Sequence, residues 1–275
     1  MKTELHTSQQ AKQRIAERFG QAAPAYHRLA ALQQDCAGRL LDQIAAYQSV
    51  LPTGTILEIG CGTGFLTQGL VQQLSQWSLH ITDLSPMMLQ FCRSHLVLSA
   101  AQSSNLQFSL LDGEQVATLS QPYAAIVSSF AFQWLRNPAV ILREWLERLL
   151  PHGCLFLAFP TCHSYPEWRS VCAQLQLPCT VNALPDPDLL LATLPPSSRI
   201  LSAHTIEAVT THPSALDFFR SFKAIGAEVN PTQQHLTPAQ LKSLIQYWDN
   251  QRLHSLSSSL QVHHQIAFWI LQRLP

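Results

Sequence analysis

Short apolar runs alternate with helical patterns between residues 55 and 160 of this 275-residue chain. The runs have the length of strands, and the segments between them repeat apolar residues at three- and four-residue spacing, as helices do. The predicted strands are Ile56–Ile59, Leu79–Asp83, Leu106–Leu110, Tyr123–Ser128 and Cys154–Phe159. The predicted helices are Phe65–Leu74, Pro86–Leu96 and Ala139–Leu150. This alternation is typical of an α/β fold with a doubly wound, mostly parallel sheet.

The regions on either side carry different patterns. Residues 8–50 repeat apolar positions at helical spacing and predict an N-terminal cap of two helices, divided by a break from Gly20 to Pro24. After residue 160, helices are predicted at 166–177, 186–194, 214–225 and 237–247, and strands at 200–211 and 260–271. The two late strands bring the sheet to seven, and 213–252 becomes a helical insertion before the last strand. We expect one domain that spans 1–275.

The composition narrows the class of protein. The formal net charge is zero, so the chain as a whole is not built to bind nucleic acid. Charged residues make up 12% of the chain, about half of the usual ~25%, which indicates a neutral polar surface. The apolar runs fall far short of the ~20 residues of a membrane-spanning helix, and residues 1–13 lack the apolar segment of a signal peptide.

The seven cysteines indicate a reducing environment. Their number is odd and no Cys-x-x-Cys spacing occurs, which favours free thiols in a cytoplasmic protein. Cys162, Cys172 and Cys179 lie ten and seven residues apart, and this spacing fits no common zinc site. We therefore expect no metal site.

Three glycines at alternating positions, Gly60, Gly62 and Gly64, follow the first predicted strand. Because glycine lacks a Cβ atom, backbone amides can approach a ligand here, and the next helix adds free N–H groups and the positive end of its dipole. A dinucleotide fingerprint is spaced G-x-G-x-x-G, which disfavours a nicotinamide dehydrogenase. Glu58, at the end of the strand, suits a ligand that carries an ammonium group and not a pyrophosphate.

Acidic residues also stand at the ends of the next two predicted strands. Asp83 lies about 20 residues after the glycine turn, a position from which a carboxylate reaches ribose hydroxyls in nucleotide-binding sheets. Asp112 can accept a hydrogen bond from an adenine amino group, and Leu84 and Met88 can pack on the purine faces. With Glu58, these residues predict a site for a nucleoside that carries an ammonium group.

The segment Glu58-x-Gly60-x-Gly62-x-Gly64 resembles motif I of the class I methyltransferases, which implies S-adenosylmethionine as the ligand. A closer resemblance, to the malonyl-acyl-carrier-protein O-methyltransferases of biotin synthesis, rests on further segments. They are Ile15–Tyr26, Asp83–Leu89, Val127–Trp134 and Phe219–Ala227. This resemblance covers the chain from about residue 11 to residue 250.

The resemblance implies a role for each part of the chain. Residues 55–160 form the cofactor-binding core, 8–50 form the cap, and 213–252 form a lid. Beside the cofactor it places Gly113 and Ser129. The acceptor residues that it implies are Phe19, Tyr26, Gln133, Trp134, Arg220 and Lys223. The chain departs from the family pattern where Gly113 replaces an alanine, Ser129 an asparagine and His152 a glycine.

The implied reaction is methylation of the free carboxylate of malonyl carried on acyl carrier protein. A carboxylate is already ionised near pH 7 and a sulfonium methyl is already electrophilic, so positioning and partial desolvation replace a general base. Tyr26 and Phe19 are expected to close over the cofactor. Arg220 and Lys223 lie three apart, on one helical face. We expect the guanidinium of Arg220 to bind the malonyl carboxylate through two hydrogen bonds, and Lys223 to contact the acidic carrier or its pantetheine.

Two alternatives stay open. A class I methyltransferase acting on another small carboxylic acid or on a quinone precursor has the same cofactor site, and the segment Arg220–Ala227 argues against it. A non-catalytic partner protein with this fold is disfavoured because Glu58, Asp83 and the motif glycines are all present. The sequence leaves open whether a coenzyme A thioester replaces the carrier protein.

Overall fold

The structure is a computed structural model that describes residues 2–228, 235–254 and 258–275. The strands are β1 (Thr55–Ile59), β2 (Ser78–Asp83), β3 (Leu106–Leu110), β4 (Tyr123–Ser129), β5 (Leu149–Pro160), β6 (Ser198–His212) and β7 (Leu260–Arg273). The helices are α1 (Lys2–Leu29), α2 (Ala31–Tyr47), α3 (Phe65–Gln73), α4 (Pro86–His95), α5 (Ala100–Ser103), α6 (Pro138–Glu147), α7 (Pro166–Gln174), α8 (Pro187–Leu191), α9 (Ala215–Ala224) and α10 (Pro238–His254). Short 3-10 turns occur at Gln48–Val50, Gly113–Thr118 and Phe132–Trp134.

The seven strands form a sheet in the order β3-β2-β1-β4-β5-β7-β6. All run parallel except β7, which is antiparallel to its neighbours β5 and β6. Helices α2 and α3 pack on one face of the sheet, and α6 packs on the other with Trp145 fully buried. The central strands β4 and β5 are buried on both faces, which explains their continuous apolar runs. The predicted α/β fold with a mostly parallel seven-stranded sheet is confirmed.

The predicted break between Gly20 and Pro24 is wrong. α1 is one helix of 28 residues that contains both positions, and the chain leaves helical geometry only at Ala30 (φ −85°, ψ 54°). A Cβ atom at Gly20 would lie 2.6 Å from the Ser85 hydroxyl oxygen and 2.9 Å from Met87 Cβ. Packing against the start of α4 therefore keeps α1 helical through a proline that would otherwise favour its end.

In the described part of the chain, no helix is both long and apolar enough to cross a bilayer.

Strand β5 begins earlier than predicted. Residues 151–153, which precede the predicted strand, lie inside β5, and α6 already ends at Glu147. The pairing of β4 with β5 shifts register across this segment, so the strand bulges there. His152 takes a φ of 67°, the left-handed conformation that explains a glycine at this position in the family. Its carbonyl oxygen accepts a hydrogen bond from Gln272 Nε2 at 2.9 Å.

Helices α9 and α10 lie between β6 and β7 in the chain and pack with α7 around Trp168 and Phe218. They occupy most of the predicted insertion 213–252, and residues 229–234 of that segment lie outside the described residues. α10 is longer than predicted. The action of this insertion as a lid stays a prediction.

Two glycines within helices differ in what an added side chain would meet. Gly69 lies in α3, and a Cβ atom there would come within 2.2 Å of Cδ2 of the buried Leu41 on α2. Gly38 lies in α2, where a Cβ atom would have no neighbour within 4 Å. Gly69 thus permits two helices to approach, whereas Gly38 only weakens its own helix.

We expect Gly69→Ala to lower the melting temperature, although alanine is the better helix former. Overpacking costs about 1–3 kcal/mol of unfolding free energy, which exceeds the gain of about 1 kcal/mol from propensity. Gly38→Ala is the matched control and is expected to stabilise the protein by about 0.5–1 kcal/mol. Thermal unfolding followed by circular dichroism measures both, and a stabilised Gly69→Ala variant would contradict the packing role.

Candidate active site

A cavity opens at the carboxyl edge of the sheet, where α1 and α2 cover the ends of β1, β2 and β4. Most of the residues predicted to bind ligands line this cavity together. They are Phe19, Tyr26, Glu58, Gly60, Gly62, Asp83, Leu84, Met88, Asp112, Gly113, Ser129 and Trp134. The predicted site residues outside its lining are Gly64, Gln133, Arg220 and Lys223. Lys12, Gln33 and Thr63 also line the cavity, and the sequence analysis did not select them.

The glycine turn after β1 belongs to the wall of the cavity. Gly60 has a φ of 75°, and a Cβ atom there would lie 2.3 Å from Ala131 Cβ, so only glycine lets the turns after β1 and β4 approach this closely. Gly62 has a φ of 53° and open space where a Cβ atom would be. A ligand can therefore reach the backbone at Gly62. Gly64 precedes α3 and packs against Cys92 instead.

Two carboxyl groups are buried in this wall. Glu58 is 2% exposed and accepts a hydrogen bond from Thr67 Oγ1 at 2.8 Å. Burial raises its pKa to about 8, helped by the neighbouring charge of Asp83. Asp83 accepts from the backbone N–H groups of Gly62 and Ser85, each at 2.8 Å. Burial outweighs these donors and raises the pKa of Asp83 to about 6.

A charged network ties α1 to the end of β3. Lys12 Nζ lies 2.5 Å from Asp112 Oδ2 and 2.7 Å from Glu114 Oε2. Arg136 Nη2 lies 2.7 Å from the same Glu114 oxygen. Partial burial opposes ionisation of Glu114, but hydrogen bonds from Arg136 and Lys12 lower its pKa to about 2. Lys12 thus holds α1 over the cavity, beside Asp112, the residue predicted to accept a hydrogen bond from the adenine amino group.

Aromatic side chains form the other part of the lining. Phe19 meets Trp134 edge to face with ring centroids 5.2 Å apart, and Tyr26 lies 6.2 Å from Phe19. Tyr26 also stacks on Phe65 at 6.0 Å. Burial and the nearby carboxyl group of Asp83 raise the pKa of the Tyr26 phenol, which therefore stays protonated. These rings exclude water from one side of the cavity.

Gln133 has a different position from the one expected. Its Nε2 donates to the carbonyl oxygen of Phe130 at 2.8 Å, and Phe130 has a left-handed φ of 56°. Phe130 and Trp134 line the cavity, whereas Gln133 does not. Gln133 therefore stabilises a strained turn that places two lining residues.

Arg220 and Lys223 lie on the exposed face of α9, away from the cavity lining. Arg220 Nη1 is 3.7 Å from Asp217 Oδ1, and its side chain is 71% exposed. The turn after α9 nevertheless packs on α1, the helix that covers the cavity. A Cβ atom at Gly226, just after α9, would lie 3.2 Å from Phe19 Cα of α1.

Comparison with known proteins agrees with this geometry. A methyltransferase-domain family model matches residues 56–153. The fold resembles that of a putative methyltransferase from Bacillus halodurans C-125, with a TM-score of 0.57, 13% identity and coverage of 86% of this chain and 97% of that chain. A coclaurine N-methyltransferase bound to S-adenosylhomocysteine gives a TM-score of 0.51 at 14% identity, covering 86% of this chain and 72% of that chain. Fold and site define a class I methyltransferase, a class whose methyl donor is S-adenosylmethionine.

Two relatives then identify the family. A malonyl-[acyl-carrier protein] O-methyltransferase from Magnetococcus marinus is 34% identical over 223 residues, which are 81% of this chain and 79% of the relative. The chain therefore belongs to the malonyl-[acyl-carrier protein] O-methyltransferase family. The biotin biosynthesis bifunctional protein BioCD from Bordetella avium is 35% identical over 239 residues, 86% of this chain. The match spans about half of that relative, 49% of its length.

The cavity fits the donor that this class uses. Among the described lining residues Lys12 is the single Lys or Arg, and it is already paired with Asp112 and Glu114. Glu58 and Asp83 are thus buried without a cation from the protein, in a cavity with open space beside Gly62. S-adenosylmethionine carries both an ammonium and a sulfonium group, so its charges complement this site.

We expect Glu58→Gln to stabilise the ligand-free protein much more at high pH than at low pH. The pKa of Glu58 is raised from 4.5 to about 8. The unfolded chain releases this proton at lower pH than the native protein does, so stability is lost as the pH rises through that window. Above it, the buried charge costs on the order of a few kcal/mol, and glutamine removes the cost.

Thermal unfolding at a series of pH values from 5 to 9 measures this effect. The control is Asp42→Asn, which changes an exposed carboxylate on α2. A pH response of Glu58→Gln no larger than that of Asp42→Asn would contradict the burial of an uncompensated carboxyl group.

Proposed function

We propose that this chain transfers the methyl group of S-adenosylmethionine to the free carboxylate of malonyl carried on an acyl carrier protein, an early step of biotin synthesis. Family membership supports the proposal. The observation that carries it is one cavity that joins the buried carboxyl groups of Glu58 and Asp83 to the aromatic side chains of Phe19, Tyr26 and Trp134. The first set suits the cofactor, and the second suits an acceptor held away from water.

Each strand end has a proposed role toward the cofactor. Glu58 would pair with the ammonium group, Asp83 would accept from the ribose hydroxyls, and Asp112 would accept from the adenine amino group. Leu84 and Met88 would pack on the purine faces. The other residues proposed to contact the cofactor are Gly60, Gly62, Gly113 and Ser129, with Gly64 shaping the turn.

A Cβ atom at Gly113 would lie 3.1 Å from Ile59 Cγ2, so the alanine of the family pattern would require that side chain to move slightly.

The reaction needs positioning and not acid–base chemistry. The bound cofactor supplies an electrophilic sulfonium methyl group. The acceptor carboxylate is ionised without help at neutral pH, and the protonated Tyr26 phenol can donate a hydrogen bond but cannot act as a base. Phe19, Tyr26 and Trp134 keep water from the acceptor, which partly desolvates its carboxylate. By holding the acceptor in one orientation, these side chains would contribute to the rate through positioning, with Gln133 stabilising the turn that carries Trp134.

The exposed face of α9 is the proposed contact for the acidic carrier. Leu216, Arg220 and Lys223 are exposed on it at spacings of four and three residues, so they share one side of the helix. Two cations beside an apolar side chain complement an acidic surface. Because Arg220 lies outside the cavity lining, its proposed contact with the malonyl carboxylate requires α9 to shift when the carrier binds.

The test is intact-protein mass spectrometry of malonyl-acyl carrier protein after incubation with the protein and S-adenosylmethionine. We expect the mass of one methyl group to be added to the malonyl carrier and none to a carrier without malonyl. Malonyl-coenzyme A in parallel decides between the two thioesters. An unmodified malonyl group, with methylation of another small acid or a quinone precursor, would overturn the assigned acceptor while leaving the class intact.

Substitutions on α9 separate the two proposed roles. Lys223→Ala is expected to raise the Michaelis constant for the carrier substrate several-fold and to flatten its dependence on salt, because one steering charge is lost. Arg220→Lys is expected to lower turnover even with a short malonyl thioester, since a point charge cannot replace a bidentate fork. Lys242→Ala, an exposed cation on α10, is the control. Wild-type kinetics in both α9 variants at every salt concentration would exclude these roles.

A further inference from the structure

We propose that Thr63 and Gln33 bind the carboxylate of the amino-acid end of the cofactor, an inference that rests on the proposed use of S-adenosylmethionine. The two side chains lie on different elements, Thr63 in the glycine turn and Gln33 in the first turn of α2. Both line the cavity.

Thr63 has a buried hydroxyl group without a partner. Thr63 is 3% exposed, and its Oγ1 makes no hydrogen bond in the described part of the chain. A buried hydroxyl without a partner costs about 1–3 kcal/mol. Thr67, one turn further into α3, shows the usual arrangement because its hydroxyl donates to Glu58. The open group at Thr63 therefore indicates a ligand atom that is not part of the protein.

Gln33 reaches the same region from α2. Gln33, Ala37 and Leu41 follow one another at four-residue spacing and share one face of the helix. Leu41 packs on Gly69 of α3, while Ala37 and Gln33 line the cavity. The stripe thus runs from the α2–α3 contact toward the glycine turn, and it ends in an amide that has two N–H donors to offer.

Because the cation that lines the cavity is already paired, the neutral donors Thr63 and Gln33 are the groups available to bind an anion. Lys12 pairs with Asp112 and Glu114 beyond the end of β3. β3 is two strands away from β1 in the sheet, a separation of about 10 Å. The turn after β1 instead leads into α3, whose first N–H groups and positive dipole end favour an anion. A zwitterionic amino-acid group would then place its ammonium on Glu58 and its carboxylate on Thr63 and Gln33.

The experiment compares two ligands that differ only in the carboxylate. S-adenosylhomocysteine has an ammonium and a carboxylate group, and its decarboxylated analogue keeps the ammonium group alone. Isothermal titration calorimetry measures the affinity of the 275-residue chain for both ligands. We expect Thr63→Val and Gln33→Leu each to weaken S-adenosylhomocysteine about tenfold, the cost of one lost charge-assisted hydrogen bond, and to change the affinity of the analogue less than twofold.

Control variants make the outcomes distinct. Glu58→Gln is expected to weaken both ligands, because both keep the ammonium group, and Thr63→Ser should retain wild-type affinity. Equal weakening of both ligands by Thr63→Val and Gln33→Leu, or no weakening of either, would overturn the inference. Because Gln33 is only partly buried, Gln33→Leu decides the question if Thr63→Val lowers the melting temperature. Failure of the unmodified protein to bind either ligand would instead overturn the proposed cofactor.

Discussion

Glu58 and Asp83 are buried with no cation from the described residues beside them, and the site depends on this constraint. A carboxyl group that is removed from water is stabilised by protonation, by hydrogen bonds or by an opposite charge. Here one threonine hydroxyl and two backbone amides provide the hydrogen bonds, and burial still raises both pKa values. Ionising these groups in the cavity is therefore costly, and a ligand with a positive group would offset that cost. Affinity for such a ligand is gained at the expense of stability.

Much of this arrangement could be predicted because it is local in sequence. Glu58, the motif glycines and Asp83 occupy strand ends, and parallel strands bring their carboxyl ends to one edge of the sheet. Burial on both faces made the strands visible as apolar runs. The wrong prediction of a helix break from Gly20 to Pro24 has a non-local cause. Both residues favour a break locally, and only the contact of α1 with α4 shows why the helix continues.

The missed lining residues share that non-local origin. Lys12 and Gln33 lie on helices whose facing side depends on how α1 and α2 pack over the strand ends, and no spacing in the sequence fixes this. The resemblance implies that Gln133 and Trp134 both contact the acceptor, but a short 3-10 turn directs the two side chains differently. Thr63 could have been selected, since its hydroxyl directly follows Gly62, the glycine whose backbone a ligand can reach.

Helix α1, which covers the cavity, has contacts on both sides, and these would link the proposed acceptor recognition to the proposed cofactor binding. α1 contacts α4 through Gly20 and the end of β3 through Lys12, both on the cofactor side. On the other side, Gly226 ends α9 in a left-handed conformation and packs on the backbone of α1 at Phe19. A side chain at either glycine would separate the packed elements. Phe19, which lines the cavity, is therefore packed against the turn that follows Lys223. If the carrier binds α9 as proposed, the packing of Gly226 on α1 would transmit its effect to the aromatic lining.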